Sequence, residues 1–193
     1  MEKKHIITIN GSLGSGKSST AKRIAEILNY RHVSGGDFMR SLAAERNVSL
    51  EELSAIAETD PSIDEALDEQ NRKIGEKSDI IIDSRLGFHF IPQSFKVLLT
   101  LDPAIAAQRI LADSKVNPNR QRETRDAFDT VENIINSIEE RLASERKRYK
   151  ELYGIADHRN PKNFDLVINT SDIPLEVVSQ KIIEEYKKWL AEK

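Results

Sequence analysis

Cysteine is absent from all 193 residues. Disulfides, thiolate catalysis and cysteine-held metals are therefore excluded, and a reducing cytoplasm is the expected setting. Long apolar runs are missing too: nothing nears the roughly 18 residues that cross a bilayer, so no membrane association is expected. The first apolar run, His5-Ile6-Ile7-Thr8-Ile9, is too short for a secretory core, and no leader is expected. A basic excess is also lacking. Twenty-nine Lys and Arg stand against 32 Asp and Glu, giving a net charge of −3, which argues against bulk nucleic-acid binding. The four histidines, His5, His32, His89 and His158, have no Cys or Glu at metal-ligand spacing, so no zinc site is expected. No G-x-S-x-G or other nucleophile motif is found. Repeats, low-complexity tracts and Gly/Ser linkers are likewise missing, and the length suits one domain with its own core.

What the chain does have begins at residue 11. Gly11-Ser12-Leu13-Gly14-Ser15-Gly16-Lys17-Ser18 is a complete G-x-x-x-x-G-K-[ST] loop. It follows an apolar strand pattern, and the helically spaced Ser19–Leu28 follows it, which is the context the motif requires. Backbone N–H groups of such a loop, with the helix N-terminus behind them, cradle anionic oxygens. Lys17 adds a point charge at the β- and γ-phosphates, and Ser18 offers its hydroxyl to Mg²⁺. Gly11 to Ser18, with Ser19, are therefore the candidate ATP-binding residues.

The rest of the pattern alternates strand and helix, as a parallel sheet covered on both faces does. Strands are predicted at 5–9, 31–34, 79–83, 95–101 and 164–169. Ser49-Leu50-Glu51-Glu52 reads as a capping box. Asp60-Pro61 and Asp102-Pro103 each read as a cap followed by proline at the first helical position. A long helix is predicted from about 131 to 153, closed by Gly154, and a last helix from Pro174 buries a stripe that includes Tyr186 and Trp189. Residues 36–76 hold three helical pieces, too many for a simple crossover, and read as an inserted helical subdomain. Residues 114–130 are polar and read as a mobile flap in which Arg120, Arg122 and Arg125 form a solvated basic cluster.

A phosphate loop alone fits several enzyme classes. The Asn-Lys-x-Asp that reads guanine is missing, and Asp83-Ser84-Arg85-Leu86 lacks the glycine of a D-x-x-G switch. Size and arginine content favour a small kinase acting on a phosphorylated acceptor. Arg85 lies just past the strand ending at Asp83, at the edge where open α/β sheets bind ligands. Arg40 opens the helical insert. Arg141 and Arg148 are two turns apart on the long helix, about 10 Å along one face. Phosphoryl transfer asks for such positive charge around the moving group. Asp83 is placed to hold Mg²⁺ through water, or else is a strand-end turn residue. Asp37 either orients the acceptor or caps a helix. Arg109 either stacks on the donor adenine or is solvated, and Arg146 is read as surface.

Gly36-Asp37-Phe38-Met39-Arg40, the run Leu50–Asp64, the stretch Arg141–Gly154 and the closing Asp165–Ser171 resemble the archaeal-type (type 2) cytidylate kinases over nearly the whole chain. Ser84 stands where that pattern has glycine, and segment 114–140 is longer than usual. The resemblance implies a P-loop NTPase fold of three α/β/α layers with a five-stranded parallel sheet. It implies a core of 1–35, 77–113 and 154–193, a nucleoside-monophosphate-binding insert at 36–76 and a lid region at 114–153. It also implies ATP as donor with Mg²⁺, and CMP or dCMP as acceptor. On the family pattern, Arg40 and Arg85 hold the acceptor phosphate and Arg141 and Arg148 are lid arginines, making Lys17, Arg85, Arg141 and Arg148 the catalytic set. The same pattern puts acceptor recognition in the 60s helix. Asp64 and Asp68, with Arg72, are then candidates to read the exocyclic amine of cytosine, against an Asp68–Arg72 surface pair. A monomer is expected. The alternatives are a kinase for AMP, UMP or a shikimate-like acceptor, and a nucleotide-binding regulatory protein.

Overall fold

The computed structural model describes residues 4–116 and 130–192. Five parallel strands run β1 (Ile6–Gly11), β2 (Arg31–Ser34), β3 (Ile80–Asp83), β4 (Phe95–Thr100) and β5 (Leu166–Asn169). Their order across the sheet is β2-β3-β1-β4-β5. β1 is central, with Ile7 in register with Ile81 on one side and Phe95 on the other. Central strands of a parallel sheet are covered on both faces, which is why β1 and β3 are buried at every residue.

Alternation splits the strand side chains between two cores. Ile7, Ile9, Ile81, Val97 and Leu99 meet α1 (Lys17–Leu28) and the closing helix (Leu175–Ala191) through Ile24, Val178, Ile182 and Tyr186. Ile6, Ile80 and Ile82 face the other way, against Ile74 and Ile91. Between β2 and β3 come α2 (Gly35–Glu45), α3 (Leu50–Ile56) and α4 (Ser62–Gly75), with a small core of Ala43, Leu53, Ala57 and Ile63. After β3, α5 (Gly87–Phe90) is a single turn before β4; α6 (Pro103–Val116) follows β4, and α7 (Val131–Tyr153) precedes a 3₁₀ turn at Pro161–Asn163. The closing helix is α8. Ile134 of α7 packs on Ala107 and Ile110 of α6.

Local signals set the helix ends. The Ser49–Glu52 box is reciprocal, and Gly154 closes α7 with φ 71°. Asp102 Oδ1 accepts from the Ala104 and Ile105 N–H groups, capping α6. One end differs: α4 starts at Ser62, because the Asp60 carboxylate bonds the Ser62 N–H and hydroxyl and leaves Pro61 outside the helix. β1 also runs on to Gly11, two residues beyond the predicted stop, because its pairing with β4 continues to Leu99. Arg120, Arg122, Arg125 and most of the segment read as a flap lie outside the described residues. Among the described residues, no helix is long and apolar enough to cross a membrane.

Candidate active site

The strand order reverses around β1, and ligands of open α/β sheets bind where such strands end. There β1 delivers Gly11 into the loop, and Gly14 and Gly16 take φ 78° and 82°, turns that L side chains rarely adopt. A Cβ on Gly14 would lie 3.0 Å from the Ala106 carbonyl oxygen, so the loop can lean on α6 only with glycine there. From the other side Thr170 Oγ1 donates to the Ser15 carbonyl at 3.2 Å. The helix behind the loop has no side-chain cap and no acid in its first turn, which leaves its leading N–H groups for an anion.

This loop forms one wall of a cleft of about 550 Å³. Gly14 to Ser19 line it, joined by Arg40, Asp83, Ser84, Arg85, Arg109 and Arg141. The cleft thus gathers six of the charged side chains singled out by sequence: Lys17, Arg40, Asp83, Arg85, Arg109 and Arg141. Gly11, Ser12 and Leu13 adjoin a smaller recess behind the loop, and Leu13 reaches both. Lys17 Nζ donates to the Ser12 carbonyl at 2.8 Å. Burial, with Arg85 and Arg141 nearby, lowers its ammonium to about 7 against the opposing pull of Asp83 and Glu145.

Asp83, the last residue of β3, is buried and fixed by two donors. Ser34 Oγ donates to it at 2.9 Å, and His32 Nε2 lies 2.8 Å away. A carboxylate has about four lone-pair positions, so room remains for a water on a hard cation. Together with Ser18 this is an all-oxygen donor pair, the type that suits Mg²⁺. Arg109 is held rather than loose: its Nη2 donates to the carbonyls of Thr170 (2.8 Å) and Ser171 (2.9 Å). Asp37 is not the cap of α2: Ser34 is, its hydroxyl accepting from the Asp37 N–H, while the exposed Asp37 carboxylate accepts from Arg40 Nη2 and does not line the cleft.

Arg85 and Arg141 meet on one buried acid that sequence reading missed. Glu145 Oε1 lies 2.6 Å from Arg85 Nε and 3.2 Å from Arg141 Nε. Its Oε2 is 3.5 Å from His158 Nε2. Burial alone would raise the Glu145 carboxyl, but the two guanidiniums outweigh it and hold the group down to about 2. Burial lowers His158 to about 4 even with that acid beside it, so the imidazole is neutral near pH 7. Burial of the ring favours the neutral form beside the acid.

Besides Asp37, four expected site residues lie outside the cleft lining. Arg148 does not share the cleft with Arg141; it is buried, and its Nε donates to Asp64 Oδ2 at 2.9 Å. Asp68 accepts from the Tyr153 hydroxyl and is buried, which overturns the surface pairing with Arg72. Arg72 is exposed, 3.9 Å from Glu69 and 4.8 Å over the Phe90 ring. Neither aspartate nor Arg72 lines the cleft. The physical reason is that Arg148 and Tyr153 reach across from α7 to α4 and supply both acids with donors.

A profile of the cytidylate kinase-like family matches residues 6–172. A protein named cytidylate kinase from Methanosphaera stadtmanae is 36% identical over 186 residues, covering 94% of this chain and 99% of that protein. Another so named, from Natronomonas pharaonis, is 40% identical over 169 residues, 86% of this chain and 81% of its own. An S-adenosylmethionine-dependent nucleotide dehydratase from Lacinutrix mariniflava is 36% identical over 94% of this chain, which spans only 36% of that protein's length. Among solved structures, a shikimate kinase from Bacteroides thetaiotaomicron superposes with a TM-score of 0.63 at 13% identity, over 93% of this chain and 96% of its own; the likeness is one of fold. A phosphate loop at the head of a β2-β3-β1-β4-β5 sheet, a cleft ringed by arginines and a profile match along most of the sequence agree, and the chain belongs to the cytidylate kinase-like family.

Proposed function

We propose that the protein transfers the γ-phosphoryl group of ATP to a nucleoside monophosphate, CMP or dCMP, giving ADP and the diphosphate. One observation carries the reading: a single cleft presents the phosphate loop, Lys17, Ser18 and Asp83 together with Arg40, Arg85 and Arg141. The transfer needs little covalent chemistry from protein; it needs alignment and positive charge. In this reading the loop N–H groups and Lys17 hold the β- and γ-phosphates. Arg109, clamped over the end of β5, flanks the donor base beside Ile173 and Pro174. Arg40 and Arg85 take the acceptor phosphate, and Arg141 completes the charge around the moving group. Ser18 and, through water, Asp83 would hold Mg²⁺, which when bound neutralises charge between the β- and γ-oxygens. Helices α2 to α4 form the acceptor side, α7 belongs to the lid region, and the lack of cysteine suits a cytoplasmic setting.

The names of the relatives support cytosine as the acceptor base. The test is Mg·ATP with CMP, dCMP, UMP, AMP, GMP and shikimate, following ADP release. Turnover is expected to be highest with CMP or dCMP and to fall by about 10²–10³-fold or more in Lys17→Ala. Preference for another acceptor would reject the cytosine assignment. Tight ATP binding with no transfer to any acceptor would favour a regulatory role.

A further inference from the structure

Glu145 is a buried acid beside the cleft without a direct part in the reaction just described. Its Oε1 faces the Nε edges of both Arg85 and Arg141, at 2.6 and 3.2 Å. These arginines come from different elements, one from the loop after β3 and the other from α7, with 55 residues of chain between them. A guanidinium bound at its Nε edge has its rotation about the side-chain axis fixed, and its outer nitrogens then point in a set direction. Both arginines also line the phosphate-loop cleft. The acid is itself supported: the side chain is 9% exposed, Tyr149 next to it in the buried wall packs edge-on to His158, and His158 closes off Oε2. Asn10, at the end of β1, donates through Nδ2 to the carbonyls of Arg85 and His158, both at 2.8 Å, so the backbones carrying two of the acid's neighbours are tied to the strand that delivers the phosphate loop.

We propose that Glu145 is a positioning residue for the phosphoryl transfer, a buried anion that sets the direction of the Arg85 and Arg141 guanidiniums toward the transferred group. The inference rests on the kinase reading above. Glu145 touches neither nucleotide; it acts through the two arginines. It also offsets their mutual repulsion, which two guanidiniums converging on one buried atom would otherwise suffer. A misplacement of about 1 Å at such groups is worth roughly 10²-fold in rate. ATP affinity should change little, because the loop backbone and Lys17 hold the donor.

The experiment compares wild type, Glu145→Gln and Glu145→Asp in steady-state transfer from Mg·ATP to CMP, with melting temperatures taken to establish the folded fraction. Glu145→Gln keeps the shape and loses the charge. It is expected to lower kcat by about 100-fold with KM for ATP within about threefold of wild type. Glu145→Asp keeps the charge at a shorter reach and should recover part of that loss. A merely structural acid would lower the folded fraction and leave kcat per folded molecule intact. Coupling adds an independent reading: in an Arg141→Lys background, Glu145→Gln should cost much less than it does in wild type. The idea is overturned by a Glu145→Gln kcat within threefold of wild type, by a loss confined to KM for ATP, or by additive losses in the Arg141→Lys background. Should Glu145→Gln fail to fold, Glu145→Asp decides: a kcat between about 3- and 30-fold below wild type supports the role, and an unchanged kcat rejects it. Wild-type protein that transfers phosphate to no acceptor would overturn the kinase reading and this one with it, whereas an active wild type with an equally active Glu145→Gln rejects only the role of Glu145.

Discussion

Arg148 Nε donates to Asp64 Oδ2 at 2.9 Å across 84 residues of sequence, and both side chains are buried. Arg148 Nη1 also donates to Ser144 Oγ, which in turn donates to Glu58 at 2.7 Å. Removing one partner of such a pair strands a buried charge. Asp64→Ala and Arg148→Ala are each expected to lower stability by roughly 3–5 kcal/mol. The double variant should recover a substantial part, since the two losses share one cause. Urea unfolding of the four proteins measures this, and strict additivity would count against the pair.

Asp68 gives the protein a pH response of its own. Burial raises its carboxyl to about 6, while the Tyr153 hydrogen bond favours the charged form and opposes the rise. The folded state therefore holds this proton more tightly than the unfolded chain does. The contribution to stability is full below the unfolded value near 4 and is lost as pH rises through about 6. Asp68→Asn keeps an acceptor for Tyr153 and removes the penalty of a buried charge. Relative to wild type it should gain about 1–2 kcal/mol on going from pH 4 to pH 8, read from urea midpoints at the two pH values.

His158 acts with the opposite sign. Its folded value of about 4 lies below the ordinary imidazole value, so the unfolded chain binds the proton first as pH falls. Stability from the neutral ring is present above about 6.5 and is lost as pH drops through about 4. His158→Gln should flatten the stability profile between pH 6.5 and 4 by roughly 2–3 kcal/mol. An acid limb as steep as that of wild type would show that the imidazole is already charged in the fold.

Gly11 tests the end of the central strand. A Cβ there would lie 2.4 Å from the Leu99 carbonyl oxygen and 2.7 Å from Ser15 Oγ, and the first of these is backbone that cannot swing aside. Gly11→Ala should reduce stability by about 1–3 kcal/mol and weaken ATP binding as the loop is pushed out of place. Thermal melting and nucleotide titration report the two effects separately; normal values in both would mean that the strand end yields easily.

Features that depend on near neighbours in sequence were readable before any fold was known. The phosphate loop, the Ser49 box and the Gly154 stop are of this kind, because each is satisfied within a few residues. Arg85 is legible as a strand-end residue, Arg141 from its helix face and Arg40 from its place at the start of the insert and the family resemblance, and the cleft gathers all three. What escaped was partnership at long range. In sequence Asp64 reads as a base-recognition residue and Arg148 as a lid arginine, because nothing in their own neighbourhoods announces the other. Arg72 was grouped with Asp68 on a four-residue spacing, yet at about 100° per residue it sits some 80° around the helix from Asp64, off the buried stripe. Glu145 had a faint signal, four residues beyond Arg141 on one helix, but that spacing describes many solvated pairs. Its second arginine and its histidine come from other elements of the fold.

The 23 residues of α7 make a rod about 35 Å long. Ile134 near one end rests on α6, which shoulders the phosphate loop, while Ser144, Arg148 and Tyr153 form three rungs to Glu58, Asp64 and Asp68. A stiff beam seated at both ends transmits load. Occupation of either half of the cleft is therefore expected to change the geometry offered to the other, and ATP and the acceptor should bind with synergy measurable by titrating each in the presence of the other.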